Sequence, residues 1–236
     1  VEPWYRLAVM IIRPMMALLF RTDFSGRENL PREGGVIVAA NHISYVDPFA
    51  IALYVHTSKR RPRFMAKSSL FKLPLAGRVV RGAKQIPVFR DTADAGKALS
   101  AAVEAIRNGE CVVIYPEATV TRDPDLWPMT AKTGVARLAL LTGAPVVPLG
   151  QWGAQEFMRY GSKGIHAFPR KTLHLRAGKP VDLSAWDGAE PTTAVLRAAT
   201  DKVMADLSAV VGELRHETPP ATPYVRPAGD GTRRSA

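Results

Sequence analysis

The sequence predicts an α/β fold: a single domain with a central mixed, largely parallel sheet flanked by helices, plus an N-terminal amphipathic helix that associates with membranes. Three observations carry this. Short apolar runs rich in β-branched residues, such as Val36-Ile37-Val38-Ala39-Ala40 and Cys111-Val112-Val113-Ile114-Tyr115, read as buried strands. Stretches of helical periodicity separate them, as expected of strands joined by crossover helices. With 236 residues, 47% of them apolar, the chain can bury one sizeable core.

The first 22 residues are apolar but interrupted by Arg6, Arg13 and Pro14. They fall short of the roughly 20 clean apolar residues that a spanning helix needs. On a helix Arg6 and Arg13 share one face, and Leu7, Met10, Ile11, Met15, Leu18 and Leu19 occupy the other. The pattern predicts a helix lying in a membrane interface, with Trp4 and Tyr5 at headgroup level; the alternative is a helix docked into the protein's own core. A small-residue cleavage site of the kind found in signal peptides is absent.

Residues 23–214 form the predicted domain. After the strand at 36–40, a helix is expected over 45–54, with Ser44 as its cap and Asp47 in capping-box position. A short strand at 63–66 leads into 68–81, which is partly helical and broken by Pro74 and Gly77. A strand follows at 85–89. Residues 94–108 form an amphipathic helix, with Ala95, Ala98, Leu99, Ala102, Val103 and Ile106 on one face and Asn108-Gly109 as its stop. The strand at 111–115 comes next, then a helix over 133–142 halted by Gly143. Strands at 146–150 and 172–177 precede a last helix, 192–214. Beyond it the Pro-rich run Thr218-Pro219-Pro220-Ala221-Thr222-Pro223 predicts a disordered tail over 215–236.

Charge is unevenly placed. The formal net charge is +11, and no Asp or Glu occurs between Pro48 and Arg90. That stretch holds Lys59, Arg60, Arg61, Arg63, Lys67, Lys72, Arg78, Arg81, Lys84 and Arg90. Such a field attracts phosphates, anionic lipid or nucleic acid. Aromatic residues do not interleave with these cations as base stacking requires, which argues against nucleic acid. The one cysteine, Cys111, excludes an internal disulfide framework and a cysteine-based zinc site, and no metal is expected.

The segment Asn41-His42-Ile43-Ser44-Tyr45-Val46-Asp47 follows a strand directly, at the sheet edge where open α/β folds bind ligands. A histidine beside a carboxylate can take a proton from a hydroxyl, because the carboxylate fixes the tautomer and stabilises the imidazolium. Three other strands end in polar or Pro-containing segments: Ile86-Pro87-Val88-Phe89-Arg90, Tyr115-Pro116-Glu117-Ala118-Thr119 and Val146-Val147-Pro148-Leu149-Gly150. In a parallel sheet His42, Arg90 and Glu117 would share one edge.

In these blocks, in their order and spacing across about residues 25–180, the chain resembles the glycerolipid acyltransferase family, the group of the 1-acylglycerol-3-phosphate acyltransferases. Asn41, His42 and Asp47 match its Asn-His-x4-Asp block, and Arg90 the Arg that ends its second. Tyr115-Pro116-Glu117-Ala118-Thr119-Val120-Thr121 matches part of its aromatic-Pro-Glu-Gly-Thr-Arg-Ser block, and Val147-Pro148 its fourth. Phe64-Met65-Ala66-Lys67 and Lys132-Thr133-Gly134-Val135 are also similar to family segments.

The resemblance implies that His42 is the base and Asp47 its orienting carboxylate. The reaction is acyl transfer from acyl-CoA or acyl carrier protein to a lysophospholipid, giving phosphatidic acid in phospholipid biosynthesis, without a covalent intermediate or cofactor. Arg90 and Lys132 are the leading phosphate ligands, with Lys67 and Arg122 in reserve; Glu117 helps to place the acceptor or to organise the site, and Thr119 is a further substrate-binding candidate. The expected location is an anionic membrane surface on the cytoplasmic face of the cell membrane. One departure stands out: the family's Gly-Thr-Arg is Ala118-Thr119-Val120 here, losing a flexible residue and a guanidinium. It keeps glycerol 3-phosphate and other lysolipids open as acceptors. Competing readings are a thioester or phosphoester hydrolase, and a non-enzymatic basic module for membrane or nucleic acid.

Overall fold

The computed structural model describes residues 3–89, 95–162 and 164–227. Helix α1 (Pro3–Leu19) runs directly into strand β1 (Phe20–Ser25). Next come β2 (Val36–Ala40), α2 (Asp47–Thr57), β3 (Pro62–Lys67), α3 (Ala76–Gly82) and β4 (Ile86–Val88). They are followed by α4 (Ala95–Arg107), β5 (Cys111–Ile114), α5 (Gly134–Thr142), β6 (Val146–Trp152), α6 (Ala154–Phe157), β7 (Lys171–Ala177) and α7 (Thr193–Arg215). The strands form one sheet in the order β1-β7-β6-β2-β5-β3-β4. All neighbours are parallel except β6 and β7, so the sheet is mixed and largely parallel as the sequence predicts.

β2 shows why its sequence is apolar throughout. Val36, Val38 and Ala40 pack into one core with Ile51 and Tyr54 of α2. Ile37 and Ala39 face the opposite core, against Ala102 of α4 and Leu138 of α5. A strand buried on both faces has no polar side to alternate with. The parallel directions bring the carboxyl ends of β2, β3, β4 and β5 to one edge of the sheet.

Several local expectations change. The first half of β1 fell inside the predicted amino-terminal helix of residues 1–22, but Phe20 begins a strand paired with β7. Gly77 lies within α3, and the break in this region comes before Ala76. The apolar face predicted for α1 divides: Met15 and Leu19 pack with buried Met16 on the domain core, whereas Met10, Ile11 and Leu18 are exposed. Trp4 lies against Gly82 of α3, where a Cβ would come within 2.2 Å of the indole. Of the basic stretch, Arg60 is buried and donates to the carbonyls of Pro31, Gly34 and Gly109, and Arg63 pairs with Glu110 at 2.7 Å. Those two cations hold the fold and are not part of a binding face. Beyond α7 the chain has no helix or strand through residue 227, yet the Tyr224 carbonyl accepts from Thr130 N–H at 3.0 Å. This part of the expected tail is attached to the domain.

Candidate active site

The loop between β2 and α2 is organised by one carboxylate oxygen. Asp47 is fully buried, and its Oδ2 accepts from Ile43 N–H at 2.6 Å and Ser44 N–H at 2.8 Å. The same oxygen lies 2.8 Å from His42 Nδ1. Burial raises the Asp47 carboxyl above the usual range, and these hydrogen bonds act against that rise. With Nδ1–H donated to Asp47, His42 Nε2 is the nitrogen left to accept a proton. The predicted capping box is half formed. Asp47 reaches back to Ser44 N–H, but the Ser44 hydroxyl donates to the Met158 carbonyl and accepts from Val46 N–H.

The next layer fixes His42 itself. The Tyr115 ring stacks on the imidazole at 4.2 Å and 19°. His42 N–H donates to Glu117 Oε1 at 3.1 Å, and its carbonyl accepts from Thr121 N–H at 2.7 Å. Glu117 is buried, and its Oε2 accepts from Met129 N–H at 2.9 Å. Burial pushes its carboxyl up to about 8. Of the two roles expected for Glu117, placing the acceptor or organising the site, the geometry fits the second: each oxygen accepts from a backbone N–H, and the residue ties the His42 loop to the loop after β5. Asn41 is likewise a positioning residue. Its side chain exchanges two hydrogen bonds with the backbone of Gln151, at 2.9 and 3.0 Å, while Gln151 Nε2 donates to the Asn41 carbonyl. Gln151 lies one residue past the predicted end of its strand, which is why the sequence did not single it out.

His42 opens onto a cleft of about 1200 Å³. Its walls are largely apolar, with Val9 and Ile12 of α1, Phe49 and Leu53 of α2, Phe64 of β3 and Val79 of α3. Of the predicted substrate ligands, Lys67, Thr119 and Lys132 line the same cleft. Arg137, one turn into α5, joins them and was not anticipated. Lys67, Lys132 and Arg137 have no ion pair among the described residues. Arg122 is not among the cleft-lining residues. Its guanidinium stacks 3.6 Å over the Tyr160 ring and donates to the Tyr160 hydroxyl and the Val120 carbonyl, which turns it away from the phosphate role. Arg90, the other predicted phosphate ligand, lies outside the described residues. Ala118, where the family has glycine, has a left-handed backbone at φ 59°, a conformation that costs a Cβ-bearing residue about 1–2 kcal/mol. Val120 is buried, so the place of the family's guanidinium is filled by core.

Comparison with known proteins gives relatives of one kind. The chain is 30% identical over 159 residues to a chloroplastic 1-acyl-sn-glycerol-3-phosphate acyltransferase of Brassica napus, covering 66% of this chain and 44% of that protein. It is 25% identical over 177 residues to the 1-acyl-sn-glycerol-3-phosphate acyltransferase of Bacillus subtilis, covering 75% of this chain and 82% of the relative. The chain thus spans less than half of the plant relative and most of the bacterial one. Its fold matches the crystal structure of the 1-acyl-sn-glycerophosphate acyltransferase of Thermotoga maritima, with a TM-score of 0.68 at 24% identity, over 92% of this chain and 81% of the other. The acyltransferase family model matches residues 21–152, a span that takes in His42, Asp47 and the cleft cations Lys67, Lys132 and Arg137. With more than half of its length so matched, this chain belongs to the acyltransferase family, among the glycerolipid acyltransferases that its sequence blocks resemble.

Proposed function

We propose that this chain transfers a fatty acyl group from a thioester of CoA or acyl carrier protein to the hydroxyl of lysophosphatidic acid, giving phosphatidic acid. The observation that carries the proposal is the cleft itself: His42, held from behind by Asp47, shares one opening with the cations Arg13, Lys67, Lys132 and Arg137 and with apolar walls. His42 Nε2 takes the proton of the acceptor hydroxyl as its oxygen attacks the thioester carbonyl. The carbon–sulfur bond then breaks, and the imidazolium returns the proton to the departing thiolate, leaving an ester and a free thiol. Asp47 stabilises the imidazolium throughout. Lys67, Lys132 and Arg137 supply positive charge for the phosphate, and the apolar walls take an acyl chain. That apolar space favours a lysolipid over free glycerol 3-phosphate.

The test is thiol release across a panel of acceptors. Release should depend on lysophosphatidic acid, with phosphatidic acid as the product. Thiol and free fatty acid formed equally well without an acceptor would mean a hydrolase. Charge-assisted hydrogen bonds contribute about 1.5–3 kcal/mol, so Lys132→Ala or Arg137→Ala should raise the acceptor KM by about 10- to 100-fold. An unchanged KM in both variants would remove those residues from the phosphate site.

The proposal places the enzyme on an anionic membrane surface. Among the described residues no helix is long and apolar enough to cross a membrane. Met10, Ile11 and Leu18 of α1 are exposed, as are Leu70, Leu73 and Leu75 near α3. Lys72 lies between Leu70 and Leu73, and Arg78 follows Leu75. This combination suits insertion of apolar side chains between anionic headgroups. Ile11→Asp with Leu18→Asp should lower co-sedimentation with anionic vesicles by about tenfold or more, since each buried side chain contributes about 1.5–3 kcal/mol. Equal binding by the variant would exclude α1 as the contact.

A further inference from the structure

The loop that follows β5 holds both backbone polar groups of His42: Glu117 accepts from its N–H and Thr121 donates to its carbonyl. The position of this loop therefore sets the position of the base. What fixes the loop from its other side is α7 and the chain just after it, which lie far in sequence from every motif residue.

Arg215, in the last turn of α7, makes the main attachment. Its guanidinium carbon lies 4.0 Å from the centre of the Trp127 ring and 4.4 Å from that of Trp152. Trp127 belongs to the loop, and Trp152 ends β6. Arg215 Nη1 donates to the Asp125 carbonyl at 2.7 Å, and Nη2 pairs with Glu217 at 2.6 Å. The side chain is only 8% exposed. Arginine suits this place because its flat, delocalised cation can contact aromatic faces while its edge donates hydrogen bonds. From Trp127 the connection to the base is short. The Trp127 carbonyl accepts from the Thr121 hydroxyl at 2.8 Å, and Thr121 N–H reaches His42. Two further attachments hold the far end of the loop: Arg197 Nη1 donates to the Ala131 carbonyl at 2.8 Å, and Thr130 N–H donates to the Tyr224 carbonyl. Between them, Met129 N–H closes the circuit on Glu117.

We propose that Arg215 is a positioning residue for acyl transfer: by gripping Trp127 and Asp125 it sets the loop that holds His42 over the cleft. Arg215 touches no reacting atom. It acts through Thr121 and Glu117, and its effect belongs in the chemical step more than in binding. The inference rests on the acyl-transfer reading for its kinetic arm and has a second arm that does not.

The experiment compares wild type with Arg215→Ala and with Trp127→Leu, which removes the indole but keeps the backbone carbonyl that Thr121 uses. Misplacing a catalytic group by about 1 Å can cost 10²-fold, so kcat should fall by about 10- to 100-fold with thioester and acceptor KM little changed. Hydrogen exchange should quicken at the Thr121 and Met129 amides, and stay at the wild-type rate at Val113 in the core of β5. Unchanged kcat, or exchange that quickens at Val113 as much as at Thr121, would overturn the proposal, the latter because the effect would then be general loss of fold. If wild type fails to acylate lysophosphatidic acid, the proposed acceptor is wrong. Exchange at Thr121 and Met129 then decides the clamp alone: faster exchange confined to them supports it, and unchanged exchange refutes it.

Discussion

Replacing His42 by Ala should lower kcat for thiol release by about 10²–10⁴-fold, the range a positioned general base contributes. The fold should survive. The backbone bonds from residue 42 to Glu117 and Thr121 do not need the imidazole, and the histidine side chain is 15% exposed at the cleft rather than part of the core. What is lost is the proton acceptor, the stack on Tyr115 and one of the three donors to Asp47 Oδ2. His42→Gln retains a side-chain donor for Asp47 without a comparable base, and should be nearly as inactive. The measurement is single-turnover thiol release at saturating acceptor, alongside an unfolding curve for each variant. A His42→Ala enzyme that turns over at a rate close to wild type, with wild-type product, would eliminate His42 as the base.

The parts of this site that were legible in the sequence are the local ones. His42 and Asp47 lie five residues apart after an apolar strand, so their pairing depends only on a turn whose backbone N–H groups need an acceptor. The parallel strands were likewise visible, since burial on both faces removes polar residues from each run. Long-range partnerships were not visible. The first three residues of β1 read as the end of an apolar helix because their reason to be a strand is β7, about 150 positions later. For Glu117 the sequence left two roles open, placing the acceptor or organising the site, because its burial and its two N–H donors are set by the path of the loop. Arg122 looked like a replacement for the missing guanidinium until Tyr160, far along the chain, was placed beside it. Arg137 is periodic with the rest of α5, and only the arrangement of α5 beside the cleft distinguishes it from a surface cation.

The second large effect belongs to Asp47. Asp47→Ala is a poor test, because it leaves the Ile43 and Ser44 N–H groups buried without an acceptor, at about 1–3 kcal/mol each. Asp47→Asn keeps the volume and forces a choice. If the amide oxygen takes the Oδ2 place, it still accepts from Ile43, Ser44 and His42 Nδ1, but it brings no negative charge to the imidazolium. Its NH2 then occupies the position of Oδ1, which has no hydrogen-bond partner among the described residues. If the amide flips, the NH2 faces those N–H groups, and His42 Nδ1 must become the acceptor, leaving the proton on Nε2. The first arrangement weakens proton removal at the cleft and the second blocks it, and kcat should fall on the order of 10³–10⁴-fold, as in other base-carboxylate pairs. Because Asp47 acts through His42, the two losses should not add. The double variant His42→Ala with Asp47→Asn should be no slower than His42→Ala alone. Additive losses in that cycle would mean that Asp47 has a role in the reaction apart from the imidazole, and the dyad would have to be abandoned.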